Sequence, residues 1–311
     1  MMTKRKRRIL FWLCTIFFIV ILVPVFLFSF GYGIGTDFKI KKTGSIAINA
    51  NISGAEVSGT IVRKRKTSIL TKSAIIKNIV PGEYKINVEK DGFWKWEKNI
   101  SVFSEKVSVR NILLVPKEIN GTLLDTTTIE KKSQFILKNN SVYDSGQIIF
   151  ASVKNFWELP QSKKLLILGR DNTFYRNKEK EVSFGTTTLE ILKNSQNSFF
   201  SEEENEIIYW DSHRITLLWL DLEEKLPQWR NNKIIYNSFA SLDKIKNVSS
   251  YPDKPDYLII ELNNGVWALE KEGPQNNIAP LYKGKNPKII SIEKDFLIIF
   301  DDNNYLKITL P

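Results

Sequence analysis

One cysteine and one histidine in 311 residues leave this chain little with which to build thiol or metal chemistry. The cysteine, Cys14, lies inside an apolar N-terminal run. No disulfide framework and no cysteine-based zinc site can form in the rest of the sequence. The histidine, His213, falls in "WDSHR", which reads as a solvated turn. A three-histidine or two-histidine–carboxylate metal site is thereby excluded within one chain. A Ser-His-Asp triad would have to recruit that one histidine, and the G-x-S-x-G turn that presents a serine nucleophile is missing. Two oxygen-rich clusters, "SEEENE" (201–206) and "DDNN" (301–304), lack the spacing and distal glutamate of a calcium loop. Asp and Asn suit hairpin turns because they tolerate positive φ, and both clusters are expected to be turns. The glycines of "GYGIG" (31–35) follow an apolar segment rather than a strand, so a dinucleotide-binding role is excluded and a flexible juxtamembrane joint is expected. The reading is therefore of a chain with no catalytic residue, no metal and no cofactor.

Acidic residues are also in deficit: 45 Lys and Arg face 34 Asp and Glu, a formal net charge of +11. Five of those charges are Lys4, Arg5, Lys6, Arg7 and Arg8, so the remainder of the chain is only mildly basic. A nucleic-acid binder gathers its basic residues into one stripe with aromatics between them. Past the N-terminus the single dense run is "RKRK" (63–66), expected as a solvated hairpin tip, and no nucleic-acid partner is expected.

Charge of either sign is missing altogether from Ile9 to Phe30, a run of 22 residues. As a helix it would be about 33 Å long, enough for a hydrocarbon core of about 30 Å. Pro24 falls inside it, which membrane helices tolerate. The positive-inside rule assigns Lys4–Arg8 to the cytoplasm and everything after Phe30 to the other side. A cleaved signal peptide is the rival reading. Its apolar region would be shorter and would end at an A-x-A-like site, which "SFGYGIGTDF" does not supply. The expectation is a single-pass protein of the cell membrane. Residues 1–8 would be a cytoplasmic tail, 9–30 the span and contact with the lipid bilayer, 31–43 a linker, and the rest extracytoplasmic.

From residue 44 the pattern changes to period two. "GSIAINA" (44–50), "AEVSGTIV" (55–62), "AIIKNI" (74–79), "EYKINVEK" (83–90), "WEKNISVF" (96–103) and "VSVRNILLV" (107–115) each run four to nine residues between Gly, Pro, Asn, Asp or Ser. Such runs are expected to be antiparallel strands with one buried face. Alternation sends Tyr84, Ile86 and Val88 to one side and Lys85, Asn87 and Glu89 to the other. Pro81-Gly82 and Asp91-Gly92 supply turns, and Phe93 is expected to pack onto a small β-sandwich. Residues 44–115 resemble the PEGA domain. The likeness rests on "TGSIAINA", on Gly54-Ala55 before the second strand, and above all on "IVPGEYKINVEKDGFWKWEKNISV". The tetrapeptide that names the family is absent, as is its usual Thr-Pro before the third strand. The resemblance implies a surface β-sandwich with an adhesive, scaffolding or spacing role.

Residues 117–311 contain a repeat. "LLILGRDNTFYR" (165–176), "IIYWDSHRITLLWL" (207–220), "LIIELNNGVWALE" (258–270) and "LIIFDDNNYLKITL" (297–310) each pair an apolar strand with a polar turn and a second strand; "FILKNNSVYDSG" (135–146) is a weaker fifth. The spacing approaches one blade of a β-propeller. The layout resembles TolB-like and WD-type propellers with four to five blades, and no Trp-Asp dipeptide closes a repeat. The fold class is thus all-β behind one membrane helix: a PEGA-like sandwich, then propeller-like repeats. Trp94, Trp96, Trp210, Trp219 and Trp267 are the candidate binding aromatics, weighed against burial in the cores. The expected function is non-enzymatic: a scaffold or binding module for a protein or glycan at the cell envelope. A carboxylate-dependent cell-envelope hydrolase acting on glycans is the alternative, because acids abound, although nothing singles out a pair.

Overall fold

The computed structural model describes residues 4–35, 38–60, 62–119, 121–124, 135–159, 164–171, 173–176, 179–183, 197–201, 205–220, 235–273 and 277–311. The chain divides into two compact units, residues 1–116 and 117–311.

The first unit begins with helix α1 (Lys4–Ser29), which carries Pro24 in its interior. Its segment Arg7–Ser29 is long and apolar enough to cross a membrane. The apolar side chains are exposed all round rather than along one stripe. The two hydroxyls near its ends turn inward to the helix backbone: Thr15 Oγ1 donates to the Phe11 carbonyl at 2.9 Å and Ser29 Oγ to that of Val25 at 2.8 Å. Lys4–Arg8 lie in the first turns of this helix.

The glycine-rich stretch expected as a flexible joint is folded. β1 (Tyr32–Ile34) and β2 (Ile40–Lys42) pair antiparallel. Seven strands follow: β3 (Gly44–Ala50), β4 (Glu56–Gly59), β5 (Val62–Lys66), β6 (Ser73–Ile79), β7 (Gly82–Glu89), β8 (Trp96–Val102) and β9 (Val107–Ile112). They form two sheets, ordered β6-β3-β9 and β5-β4-β7-β8. The inward positions of both sheets share one apolar core. Ile46, Ile48, Ile76 and Ile112 come from the first sheet, and Val57, Ile86, Val88, Trp96 and Ile100 from the second. Period-two alternation therefore sorts the faces as expected. Ile86 and Val88 are buried, Tyr84 packs on the same core with its hydroxyl donated to the Val80 carbonyl at 2.7 Å, and Lys85 and Glu89 are exposed. Phe93 also packs on this core.

Two readings of this region are corrected. The strands are not all antiparallel, because β3 pairs parallel with β9 from Ser45↔Val107 to Ala50↔Ile112. "RKRK" is not a hairpin tip. It forms most of β5, the edge strand of its sheet, where charged side chains deter further strand pairing.

The second unit is a succession of antiparallel sheets. Its first strand is β10 (Gly121–Leu124). A three-stranded sheet follows, β11 (Phe135–Lys138), β12 (Ser141–Asp144) and β13 (Gln147–Phe150). Next come β14 (Val153–Leu159), β15 (Lys164–Gly169), β16 (Thr173–Arg176) and β17 (Glu179–Ser183) as one sheet. β18 (Asn197–Ser201), β19 (Glu206–Trp210), β20 (Arg214–Trp219) and β21 (Ile235–Ala240) form another. β22 (Asn247–Ser250), β23 (Tyr257–Leu262), β24 (Gly265–Glu270) and β25 (Ile278–Lys283) form the next. The last three strands, β26 (Lys288–Ile292), β27 (Phe296–Asp301) and β28 (Asn304–Thr309), are completed by β10, which pairs antiparallel with β28 from Gly121↔Ile308 to Leu124↔Tyr305. The unit's first and last strands are thus neighbours in one sheet.

Consecutive sheets pack face to face. Val142 of β12 shares a core with Val153 and Ile167 of the next sheet. Leu166, Leu168 and Phe174 pack with Ile207, Tyr209 and Leu218, and Ile208, Ile215 and Leu217 with Leu258, Ile260 and Leu269. Central strands such as β19 and β23 are buried on both faces, so they read as continuous apolar runs rather than as alternation.

Candidate functional site

Two kinds of polar feature stand out in the second unit: hairpin turns rich in Asp and Asn, and polar pins that join one sheet to the next. The turns at Asp171, Asp211 and Asp302 lie between the second and third strands of their sheets in order of pairing, and the one at Asn139 between the first and second strands of the three-stranded sheet. Asp171 Oδ1 accepts the Thr173 amide at 3.1 Å, and its Oδ2 accepts the Tyr175 hydroxyl at 2.5 Å. That hydroxyl is the main reason the Asp171 carboxyl is held below its ordinary range. Asp211 Oδ1 accepts the amides of His213 at 2.7 Å and Arg214 at 2.8 Å. Asp302 and Asn303 turn the last hairpin with φ of 49° and 64°, and Asn139 and Asn140 turn an earlier one with φ of 50° and 56°. Short polar side chains at left-handed positions are what two-residue hairpins need. His213 lies exposed in its turn, beside the Ser212 hydroxyl at 2.9 Å.

The pins are buried. Glu206 opens β19 and Lys271 follows β24 in the neighbouring sheet; their Oε1 and Nζ are 2.8 Å apart, with side chains 1% and 4% exposed. The Ser238 hydroxyl of β21 donates to the Lys271 carbonyl at 2.6 Å. One sheet earlier, the Trp157 indole N–H donates to the Ser198 hydroxyl at 3.0 Å. One sheet later, Glu261 Oε2 accepts the Ile289 amide at 2.8 Å, and burial pushes the Glu261 carboxyl up. Asp301, at the end of β27, accepts the Tyr282 hydroxyl at 3.0 Å and the amides of Lys285 and Asn286, each at 3.2 Å. Burial, then the bond to Asp301, pushes the Tyr282 hydroxyl up to about 12. Gly284 completes this corner: a Cβ there would lie 2.0 Å from Asp301 Oδ2, so no other residue fits without movement.

Glu206 and Asp301 correct the reading of "SEEENE" and "DDNN" as turns throughout. Residues 202–204 lie outside the described residues, but Glu206 is strand and buried. Asp301 is likewise buried, and only Asp302 and Asn303 turn the chain. Among the described residues, the buried carboxylates are Glu206, Glu261, Glu270 and Asp301, and each has a protein partner. Glu270 Oε2 accepts from the Asn277 side-chain Nδ2 at 2.7 Å. Carboxylates committed in this way brace the fold; a general acid or base needs one that faces a substrate. No group of three or more metal-ligating side chains occurs among the described residues.

The five candidate tryptophans are dispersed. Trp96 is 1% exposed in the core of the first unit. Trp94 precedes β8; it is half-buried, and its backbone N–H donates to the Val115 carbonyl at 2.8 Å. Trp210 and Trp219 are buried at the ends of β19 and β20. Trp267 is half-buried, packs on the same core as Trp210, and donates its indole N–H to Asn264 Oδ1 at 3.1 Å. The structure brings Trp210 and Trp267 into one core, and leaves Trp94 and Trp267 with accessible surface. The pins escaped sequence reasoning. The only signal available was a charged residue at the start or end of a fully apolar strand, as in "NEIIYW" and "ALEK".

No protein-family model matches the chain, and no curated protein aligns with it. Among solved structures, Hsv2 from Kluyveromyces lactis aligns at 11% identity and a TM-score of 0.31, over 85% of this chain and 74% of that one. The WD40 β-propeller domain of Doa1 aligns at 12% identity and a TM-score of 0.34, over 89% of this chain and 96% of that one. Likenesses this shallow decide nothing about the chain's role.

Proposed function

We propose that this chain is a single-pass, membrane-anchored, non-enzymatic binding or scaffold protein of the cell envelope. In this reading α1 crosses the bilayer with Lys4–Arg8 in the cytoplasm, and the folded units lie outside. Residues 44–115 form a PEGA-like β-sandwich. Residues 117–311 form a propeller with five blades, closed where β10 completes the last sheet. Pairing of the first strand with the last hairpin supports closure, since it joins the two ends of the array. The observation that carries the functional reading is the commitment of every buried carboxylate described to a structural partner, beside turns that project from a rigid frame. Rigid sheets with variable turns are a common way to present a binding surface. The ligand proposed is an envelope protein or glycan, met by the turns and by the accessible edges of Trp94 and Trp267.

Topology and role are tested together. Protease added to intact spheroplasts should digest the body and spare a fragment containing α1; full protection of the body would refute the topology. Photo-crosslinkers placed at His213, Asn264 and Asn303 in living cells should capture one common partner. Capture at none of the three, with the protein folded and exposed, would refute the binding role.

A further inference from the structure

The β1–β2 hairpin carries an apolar face that its own unit leaves uncovered. Ile34 and Ile40 stand directly opposite each other, so their side chains share one face. Both are exposed, and Phe38 beside the tip is 91% exposed with φ of 56°. The other face is turned to the body: Gly33 pairs with Lys41, and a Cβ on Gly33 would sit 2.9 Å from Thr43 Cγ2 and 3.2 Å from Val80 Cγ2. The base of the hairpin is fastened, because the amide and hydroxyl of Thr43 both donate to the Gly31 carbonyl, at 2.7 and 2.8 Å. Lys42 is tied to Glu105 at 2.6 Å. The exposed apolar face is therefore a fixed feature of the fold. Lys39 and Lys42 border it, against the single acid Asp37 in the same stretch of sequence.

The position of this face identifies what covers it. α1 ends at Ser29 and β1 begins at Tyr32. Three residues reach at most about 11 Å, so the hairpin cannot leave the surface of a bilayer that α1 crosses. We infer that the β1–β2 hairpin is a second, interfacial contact with phospholipid. Ile34, Phe38 and Ile40 enter the boundary between headgroups and acyl chains, in the leaflet at the C-terminal end of α1. Lys39 lies at the level of the lipid phosphates. Aromatic and aliphatic side chains bordered by lysine are suited to that boundary, since the apolar part sinks while the ammonium stays with phosphate and water. The inference rests on the reading of α1 as a membrane span.

The test uses the full chain in vesicles of phosphatidylcholine and phosphatidylglycerol. Cys14 is the only native cysteine, so a Cys14→Ser background allows a nitroxide at one chosen site. Labels are placed at Phe38→Cys, at Phe18→Cys inside α1, and at Ile69→Cys in an exposed turn. Collisions with oxygen report lipid, and collisions with a water-soluble nickel chelate report solvent. The ratio of oxygen to nickel collisions at position 38 should favour oxygen and exceed that at 69 by roughly tenfold, as insertion at the boundary requires. A ratio favouring nickel at 38, with oxygen favoured at 18, overturns the interfacial contact and leaves the span standing. A ratio favouring nickel at 18 removes the span and the inference with it.

Discussion

Replacing Glu206 with leucine should destabilise the second unit far more than removal of a surface ion pair would. The pair it forms with Lys271 has its oxygen and nitrogen 2.8 Å apart, and almost none of either side chain meets water. At that separation two unit charges attract by about 6 kcal/mol in a medium of effective dielectric about 20, against about 1.5 kcal/mol in water. Desolvating the two ions costs several kcal/mol each, so the intact pair contributes little net. Removing one partner is different, because the ammonium keeps its desolvation cost and loses its acceptor. The expected loss is about 3–5 kcal/mol. The double replacement Glu206→Leu with Lys271→Met puts apolar side chains of similar volume in the same space and should recover most of it. Equilibrium denaturation in mild detergent, followed through tryptophan fluorescence, would measure both, with the single Lys271→Met variant completing the cycle. A Glu206→Leu loss below about 1 kcal/mol, the value of an exposed pair, would refute the buried-pin reasoning. So would a double variant whose loss is the sum of the two single losses.

Three other outcomes follow from the same corners. The Glu261 carboxyl is raised by burial, so its protonated form favours the fold. That contribution is complete below the unfolded carboxylate range near pH 4.5 and is lost as pH rises through the folded value. Glu261→Gln, which can still accept from Ile289, should flatten this part of the pH–stability curve without lowering stability at pH 7; a curve of unchanged slope counts against it. Tyr282 should resist ionisation until about pH 12, losing its share of stability between about pH 10 and that value, and an alkaline absorbance titration of wild type against Tyr282→Phe would show the missing late step. Gly284→Ala should cost about 1–3 kcal/mol through the forced shift of Asp301, and a thermally neutral variant would contradict the close approach.

The sequence revealed most where a local pattern decides the structure. Alternation in "YKINV" is enough to sort Ile86 and Val88 inward, because side chains on a strand point to opposite faces in turn. The repeated apolar runs at 165, 207, 258 and 297 fall on β15, β19, β23 and β27, central and largely buried strands of their sheets. Their partners β18 and β22, "NSFFS" and "NVSS", are short and mostly polar, and carry no such signal. Non-local choices were illegible. Nothing near β3 says that it will pair with β9 in parallel, and nothing near Glu206 names a lysine 65 residues away. Charge misleads in both directions: "RKRK" suggests a hairpin tip although edge strands tolerate basic residues that central strands do not, and "SEEENE" suggests a turn throughout although its last residue, Glu206, is buried in a strand.

The pairing of β10 with β28 also bears on how the second unit responds to force. The strands run antiparallel, so the residue where the chain enters β10 lies opposite Ile308, close to where the chain leaves β28. Tension applied between a membrane anchor at the N-terminal end and a load at the C-terminus would pull both strands from the same edge. Their hydrogen bonds would then break one after another rather than all together, which takes little force. As a mechanical linkage, the unit is therefore weak when held by its two ends.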